Sequence, residues 1–419
     1  MAAALPLDGA LLVVGAGEPV ALPEGSDQTY PFRSHADYYH LSGHECAGGV
    51  IVFDPADATR DGESGWVSFV PVVSEAERIW EGRTQRPGTP LEQFPRWLAQ
   101  RRGRPQVQLG AMPNGMDLAA DPVLTAAVRS AFQHARRPKD AHELRALRRA
   151  ADATAEGFRA VRDLLRPGVT ERQLQIELEA AFFRGGGTRT GYGTIVGGGP
   201  NSAILHFEPG ARAFREGEFV LIDAGAEVVR YTADVTRTFV VGQPTAFQRD
   251  LYEVVLSTEK NTIARCIPGA EWKELHLAAA VELVAGLVTM GVMRGPPESL
   301  VEQEAHTLFF PHGLGHMVGL GVRDASGLQP GRTRDPRPSL RTLRMDLPLA
   351  TDYVVTVEPG LYFIPALLND PQRRERYRAA VNWTLVDQHI GIGGVRIEDN
   401  VRVTADVPEV LTQNIPKHL

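Results

Sequence analysis

Two aspartates pose the first chemical question. The run 219–239, FVLIDAGAEVVRYTADVTRTF, ends an apolar burst in Asp223 and carries Asp234 eleven residues later in a β-rich segment. Apolar bursts bounded by Gly and polar residues read as strands. An antiparallel hairpin turning at Val228 and Val229 sets Asp223 directly opposite Asp234, with Cβ atoms roughly 4.5–5.5 Å apart on one face. Carboxylates that close repel each other, and a divalent cation between them removes the repulsion. The plainer reading is a surface hairpin with two solvated acids, and this motif alone does not decide between them.

Other ligand-type side chains follow. In FFPHGLGHMVGLGVRD (309–324), His312 and His316 are four residues apart, but HExxH is absent and Gly313 and Gly315 predict a loop rather than a zinc-binding helix. Glu358 ends the β-branched run VVTVEPGLYF (354–363). In GGVRIEDNVRV (393–403) the alternation puts Val395 and Ile397 on one side and Arg396 and Glu398 on the other. An inward acid on such a strand is costly unless paired, although each Glu alone also reads as a strand-end surface acid. Two Asp, one His and two Glu suit Mn²⁺, Fe²⁺, Co²⁺ or Zn²⁺, and the excess of oxygen favours Mn²⁺. Four carboxylates balance two divalent ions with room for a bridging hydroxide. Such a clamp acidifies water and polarises a carbonyl, which serves amide hydrolysis.

These residues need elements to position them. Residues 1–137 read as an N-terminal α/β domain with strands at 11–15, 49–53, 67–73 and 107–111 and helices at 90–102 and 122–135. Gly15 and Gly17 form a lone GxG, and Val20 breaks the dinucleotide fingerprint. The stretch FRSHADYYHLSGH (32–44) reads as a packed helix and turn. The basic, Pro-containing stretch 136–139 marks a linker, and 138–419 reads as the second domain. Capping boxes Asp140/Glu143, Thr170/Gln173 and Thr245/Gln248 open helices there, and a fourth helix covers about 271–290. Between them, GYGTIVGGGPNSAILHF (191–207) lacks the GKS or GKT of a phosphate loop, and His206 reads first as a core histidine ending an apolar run. The RRER run at 373–376 reads as a solvated helix face.

Bulk properties exclude several classes. The chain has 419 residues, 43% apolar and 23% charged, as expected of a globular protein with a large core. A net charge of −7 gives no basic footprint for nucleic acid. Cys46 and Cys266 form no CxxC and no disulfide framework, which fits a reducing cytoplasm. The first residues carry no basic segment of a signal peptide, and no run of 18 apolar residues predicts a membrane span.

The order DAG…D-x-TRTF…HGxGH…EPGxY…RIEDN resembles the M24 metallopeptidases, the pita-bread family, and within it the proline-specific branch of Xaa-Pro dipeptidase and aminopeptidase P. FRSHADYYHLSG and SEAERIWEGR resemble that branch's N-terminal domain. The resemblance implies an α/β (α+β) chain: a creatinase/prolidase-like N-terminal domain followed by a catalytic pita-bread domain. It implies two metal ions on Asp223, Asp234, His316, Glu358 and Glu398, with Asp234 and Glu398 bridging and Glu358 also accepting a proton. By the same resemblance His312 steadies the carbonyl or oxyanion, and His206 lies near the proline side of the substrate. Arg396, Tyr362 and Tyr192 match supporting positions, which implies a catalytic role for Arg396 and substrate contacts for the two tyrosines. Arg323 stands where the family has a second histidine. An arginine stays protonated and cannot shuttle a proton at neutral pH, but it can grip a carboxylate. Arg341, in PSLRTLR (338–344), matches an arginine that binds the free carboxylate of a dipeptide. That match, and the forty-residue step from Glu358 to Glu398, favour an Xaa-Pro dipeptidase. Aminopeptidase P is the alternative; a metal-free binding module or creatine-type hydrolase is disfavoured by the full ligand set. The resemblance also implies proline-containing di- or short peptides as substrates and a homodimer.

Overall fold

The apolar burst LLVVGA becomes β1 (Leu11–Ala16), buried along its whole length. The computed structural model describes residues 4–23, 25, 27–59 and 64–419. The chain divides into two compact units, Met1–Arg136 and Arg137–Leu419.

In the first unit, β1 pairs antiparallel with β2 (Val50–Phe53), which pairs antiparallel with β3 (Trp66–Val70). A short β4 (Thr89–Pro90) and β5 (Gln106–Ala111) flank them in the order β4-β3-β2-β1-β5. Helices α1 (Ala36–Ser42), α2 (Glu75–Glu81), α3 (Phe94–Ala99) and α4 (Pro122–Arg136) complete the unit. Both faces of the sheet are covered, so its central strands read as unbroken apolar runs rather than alternations. Leu12, Val14 and Leu109 pack with Val128 and Phe132, while Val13, Val52 and Phe69 pack with Phe94. The expected helix at 90–102 shrinks to α3 after a 3-10 turn, Leu91–Gln93, and Pro95 lies in its first turn.

The second unit begins with helices set by their caps. Asp140 accepts from the backbone N–H groups of His142 and Glu143 and starts α5 (Ala141–Ala160). Thr170 with Gln173 starts α6 (Glu171–Arg184). These helices share an apolar core with β7 (Ile195–Gly198), β8 (Phe219–Asp223) and β11 (Thr236–Val240), which form a sheet of order β11-β8-β7. A second small sheet joins β6 (Arg189–Thr190), β9 (Ala226–Val228) and β10 (Tyr231–Thr232). Helices α7 (Ala246–Ala264), α8 (Trp272–Thr289) and α9 (Pro297–Glu302) carry another core. The remaining strands that matter here are β12 (Gly327–Leu328), β13 (Met345–Asp346), β14 (Val354–Val357), β15 (Gly360–Tyr362), β16 (Gly394–Arg396) and β17 (Asp399–Arg402). A four-residue helix, α10 (Pro338–Arg341), precedes β13. Among the described residues, no helix is long and apolar enough to cross a membrane.

Candidate metal centre

The acidic hairpin forms, but with its turn one residue and its register two residues from the expected ones. Asp223 lies opposite Thr236, and Val228 opposite Tyr231. The turn is therefore Val229–Arg230, both in the left-handed region at φ 51° and 72°. Two consecutive positive φ values make the turn whose twist matches a hairpin. The predicted turn at Val228–Val229 is corrected by this geometry: Asp223 and Asp234 are diagonal neighbours, not a directly opposed pair. Moving the turn by one residue shifts the pairing by two, so both carboxylates still share a face. Their separation grows to roughly 7–8 Å at that diagonal spacing, which suits side chains converging on something between them.

The hairpin pinches at Gly225, where a Cβ would sit 1.8 Å from the Ala233 carbonyl oxygen. Asp234 leaves the ladder there. Its N–H donates to Asn400 Oδ1 at 3.0 Å, and Asn400 Nδ2 donates to its carbonyl at 2.7 Å. Glu398 comes in beside the other arm. Its N–H donates to the Thr236 carbonyl, and Thr236 Oγ1 donates to Glu398 Oε2 at 2.7 Å. β14 supplies the third wall: Thr356 N–H donates to the His316 carbonyl, and His316 N–H donates to Thr356 Oγ1 at 3.0 Å. Glu358 follows directly, its N–H on the Leu314 carbonyl at 2.9 Å.

Asp234, His316 and Glu398 each present a ligand atom within 4.8 Å of the others. His316 Nδ1 lies 3.0 Å from the Met317 carbonyl, which can only accept, so that nitrogen carries the proton. Nε2 points toward Asp234 Oδ2 at 3.4 Å and Glu358 Oε1 at 3.7 Å. Burial opposes a charge on the ring, but Asp234 and Glu358 outweigh it and raise its proton affinity. A ring held through one nitrogen with the other turned to carboxylates is the arrangement a metal-ligating histidine needs. Burial pushes Glu398 well above the usual carboxylate range, and Asp234, Glu358 and Asp223 push it further. Burial likewise raises Glu358 and Asp223. Four carboxyl groups around one imidazole, with Arg396 as the guanidinium among them, form a donor set that fits two divalent ions.

Asp223 is already well held: Tyr192 OH donates to Oδ1 and Arg396 NH2 to Oδ2, each at 2.6 Å. Arg396 also donates to Tyr362 OH at 2.8 Å. Tyr362 OH in turn lies 2.8 Å from His312 Nε2, and His312 Nδ1 lies 2.8 Å from the Gly313 carbonyl. Burial, then the charge of Arg396, pushes His312 down to about 3, so the ring is neutral.

These groups open onto a cavity of about 740 Å³, lined also by Tyr192, His206, Arg323 and Arg344. His206 is an exposed cavity residue rather than the core histidine of the first reading. Its segment is tied to α6 by buried Glu171, which accepts from Gly198 N, Asn201 Nδ2 and Gly210 N. Two expected substrate contacts are corrected. Arg341 is exposed and does not line the cavity, because Leu340 and Leu343 take the buried face of this stretch and turn it outward. Arg344 and Thr342 line the cavity instead. Tyr362 is fully buried behind His312 and Arg396 and is absent from the lining. Sequence reasoning missed Thr236, Thr356, Asn400 and Glu171; the first three sit one or two residues from a predicted ligand in β-rich runs, where strand alternation could have placed them.

The chain matches the model of metallopeptidase family M24 over residues 145–405, and that of the aminopeptidase P N-terminal domain over residues 1–95. It is 31% identical to the Xaa-Pro aminopeptidase of Escherichia coli over 430 residues, covering 95% of this chain and 90% of that protein. It superimposes on aminopeptidase P from E. coli with the inhibitor Pro-Leu at a TM-score of 0.78, with 28% identity, 98% of this chain and 92% of the other covered. Proline aminopeptidase P II from Yersinia pestis gives 0.77 at 30% identity, covering 98% and 93%. The chain therefore belongs to metallopeptidase family M24 and carries the N-terminal domain of aminopeptidase P.

Proposed function

We propose that this metallo-exopeptidase is an Xaa-Pro aminopeptidase, releasing the first residue of peptides whose second residue is proline. The observation that carries this reading is the likeness to Xaa-Pro aminopeptidases across 95% of the chain. It reverses the expectation of a dipeptidase. That expectation leaned on Arg341 as a carboxylate anchor, and Arg341 is exposed outside the cavity.

Asp223, Asp234, His316, Glu358 and Glu398 would hold the metal, and the oxygen-rich set favours Mn²⁺. Bound there, a divalent pair polarises the scissile carbonyl and acidifies water. The protein's own groups then have distinct tasks. Glu358 accepts the proton of the attacking water; burial has already raised its proton affinity. It returns that proton to the proline nitrogen as the C–N bond breaks. The product is a free acid and a secondary amine. Arg396 fixes Asp223 through an ion pair, and with Tyr362 it fixes the His312 ring at the cavity wall. His206, from the opposite segment, faces the substrate space.

The test loads the protein with Mn²⁺ and compares an Xaa-Pro-Xaa tripeptide with an Xaa-Pro dipeptide. Cleavage of the tripeptide at the first bond, with the dipeptide cut far more slowly, is expected. Preferred cleavage of the dipeptide would restore the dipeptidase reading.

A further inference from the structure

Arg323 and Arg344 both line the cavity. Neither guanidinium has a hydrogen-bond or ion-pair partner among the described residues, whereas Arg172, a third arginine of the lining, bonds Gln175 and lies 3.7 Å from Glu208. Arginines placed only for solubility do not need a built support, yet the loop carrying Arg323 has one. The next residue, Asp324, is buried; it pairs with the fully buried Lys139 at 2.9 Å and accepts the Leu320 and Ala325 N–H groups. Arg137 donates to the Ala325 carbonyl at 3.0 Å, and Ser326 Oγ accepts from Met317 N. Gly319 passes so close that a Cβ there would meet Lys139 Cε and Asp324 Oδ2 at 2.5 Å. The acidic hairpin is bonded to the same loop, with Gly321 N on the Arg230 carbonyl and Thr232 N on the Gly319 carbonyl. The backbone on either side of Arg323 is thus held at a set place relative to Asp223 and Asp234, and its side chain stands exposed at the cavity wall.

The cavity consequently has an acidic floor and a basic rim. A planar guanidinium with unused donors recognises a carboxylate through two parallel hydrogen bonds. We propose that Arg323, with Arg344, is a specificity-determining residue that grips a carboxylate carried by the peptide beyond its proline. The substrates so selected are short peptides with a free C-terminus, or peptides with an Asp or Glu side chain at that place. This rests on the Xaa-Pro aminopeptidase reading for the direction of the peptide.

Three peptides separate the sources: Ala-Pro-Ala, its C-terminal amide, and Ala-Pro-Glu amide. The Mn²⁺-loaded protein is expected to show kcat/KM about tenfold higher on the free acid than on the amide, the worth of one good charge-assisted contact. Recovery with Ala-Pro-Glu amide assigns the grip to carboxylates in general, and no recovery assigns it to the C-terminus. Arg323→Gln is expected to bring the acid-to-amide ratio near one, and Arg344→Gln to reduce it. Equal rates on acid and amide in the parent, or an unchanged ratio in both variants, would overturn the proposal while leaving the peptidase reading intact. If no peptide is cleaved, the peptidase reading fails. Calorimetric binding of Ala-Pro-Ala against its amide, in parent and Arg323→Gln protein, then decides the carboxylate grip: a preference lost in the variant supports it, and equal binding overturns it.

Discussion

Glu398 and Asp399 are adjacent, both buried and both acidic, yet they sit in opposite electrostatic worlds. Glu398 faces Asp223, Asp234 and Glu358, which add to the effect of burial and drive its proton affinity up. Asp399 faces the other way. It accepts from Arg237 NH2 at 2.8 Å and Thr412 Oγ1 at 2.6 Å and pairs with Lys417, which also bonds Glu259. Burial pushes Asp399 up as well, but Arg237, Lys417 and a hydrogen bond with Glu259 overcome it and hold the carboxyl at about 2, while burial and Asp399 push Glu259 up to about 8. Strand alternation sends neighbours to opposite faces, so one strand serves both clusters. The lesson is a rule for reading buried acids. An acid whose near charges are basic is satisfied and structural, while one whose near charges are acidic is left wanting a cation. Arg237 joins the two faces: it also donates to the Glu398 carbonyl at 2.7 Å, so the balanced cluster positions the backbone of the unbalanced one.

Breaking each side separately gives the largest effects. Glu398→Gln should abolish stoichiometric metal binding, read by elemental analysis, and lower activity by at least about a hundredfold. The metal-free variant should be no less stable than the metal-free parent, because a repelling charge is gone while the amide oxygen still accepts from Thr236. Asp399→Asn should do the reverse. Leaving Arg237 and Lys417 short of a charge costs about 3–5 kcal/mol, read by urea unfolding. If Asp399→Asn proved neutral, or Glu398→Gln destabilised the metal-free protein, the contrast between the clusters would collapse.

A third kind of buried polar group sharpens the contrast because it has no charged partner bonded to it. His276 on α8 and His306 after α9 have both ring nitrogens without hydrogen-bond partners among the described residues. His276 rests against the Phe310 ring at 5.4 Å. Burial pushes His276 down to about 3 and His306 down to about 4, from an ordinary value of 6.5. The unfolded chain therefore binds more protons than the folded one between pH 6.5 and about 3, and stability is lost as pH falls through that window. Each ring should cost on the order of 2 kcal/mol by pH 5. His276→Phe should flatten the fall in unfolding free energy between pH 7 and 5. An unchanged slope in that variant would mean that this ring does not titrate as its burial requires.

Much of this was legible in the residues, and the misses have physical causes. All three predicted capping boxes start helices, because a cap is a local hydrogen-bond pattern that tertiary packing seldom overrides. The shared face of Asp223 and Asp234 was legible from strand parity. The turn was not, because no residue at 228–230 is a glycine or asparagine to mark the left-handed pair. Arg341 and Arg344 could not be told apart in sequence: which arginine reaches the cavity is decided by the burial of Leu340 and Leu343, a tertiary matter. The support of Asp324 by Lys139 spans 185 positions of chain and leaves no local trace.

The smallest expected effect concerns that unmarked turn. Val229 is a β-branched residue at φ 51°, a conformation its side chain disfavours, and it is 42% exposed, so no packing repays the strain. Asparagine tolerates that region. Val229→Asn should stabilise the protein by about 0.5–1 kcal/mol, a rise of roughly half a degree to one degree in Tm. Metal affinity should change by less than about twofold, because the arms that carry Asp223 and Asp234 are held by Thr236, Asn400 and Arg396 rather than by the turn. A stabilised protein that binds metal more weakly would show the opposite: that turn strain sets the spacing of the two aspartates, and that the unbalanced cluster depends on a distortion the balanced one does not share.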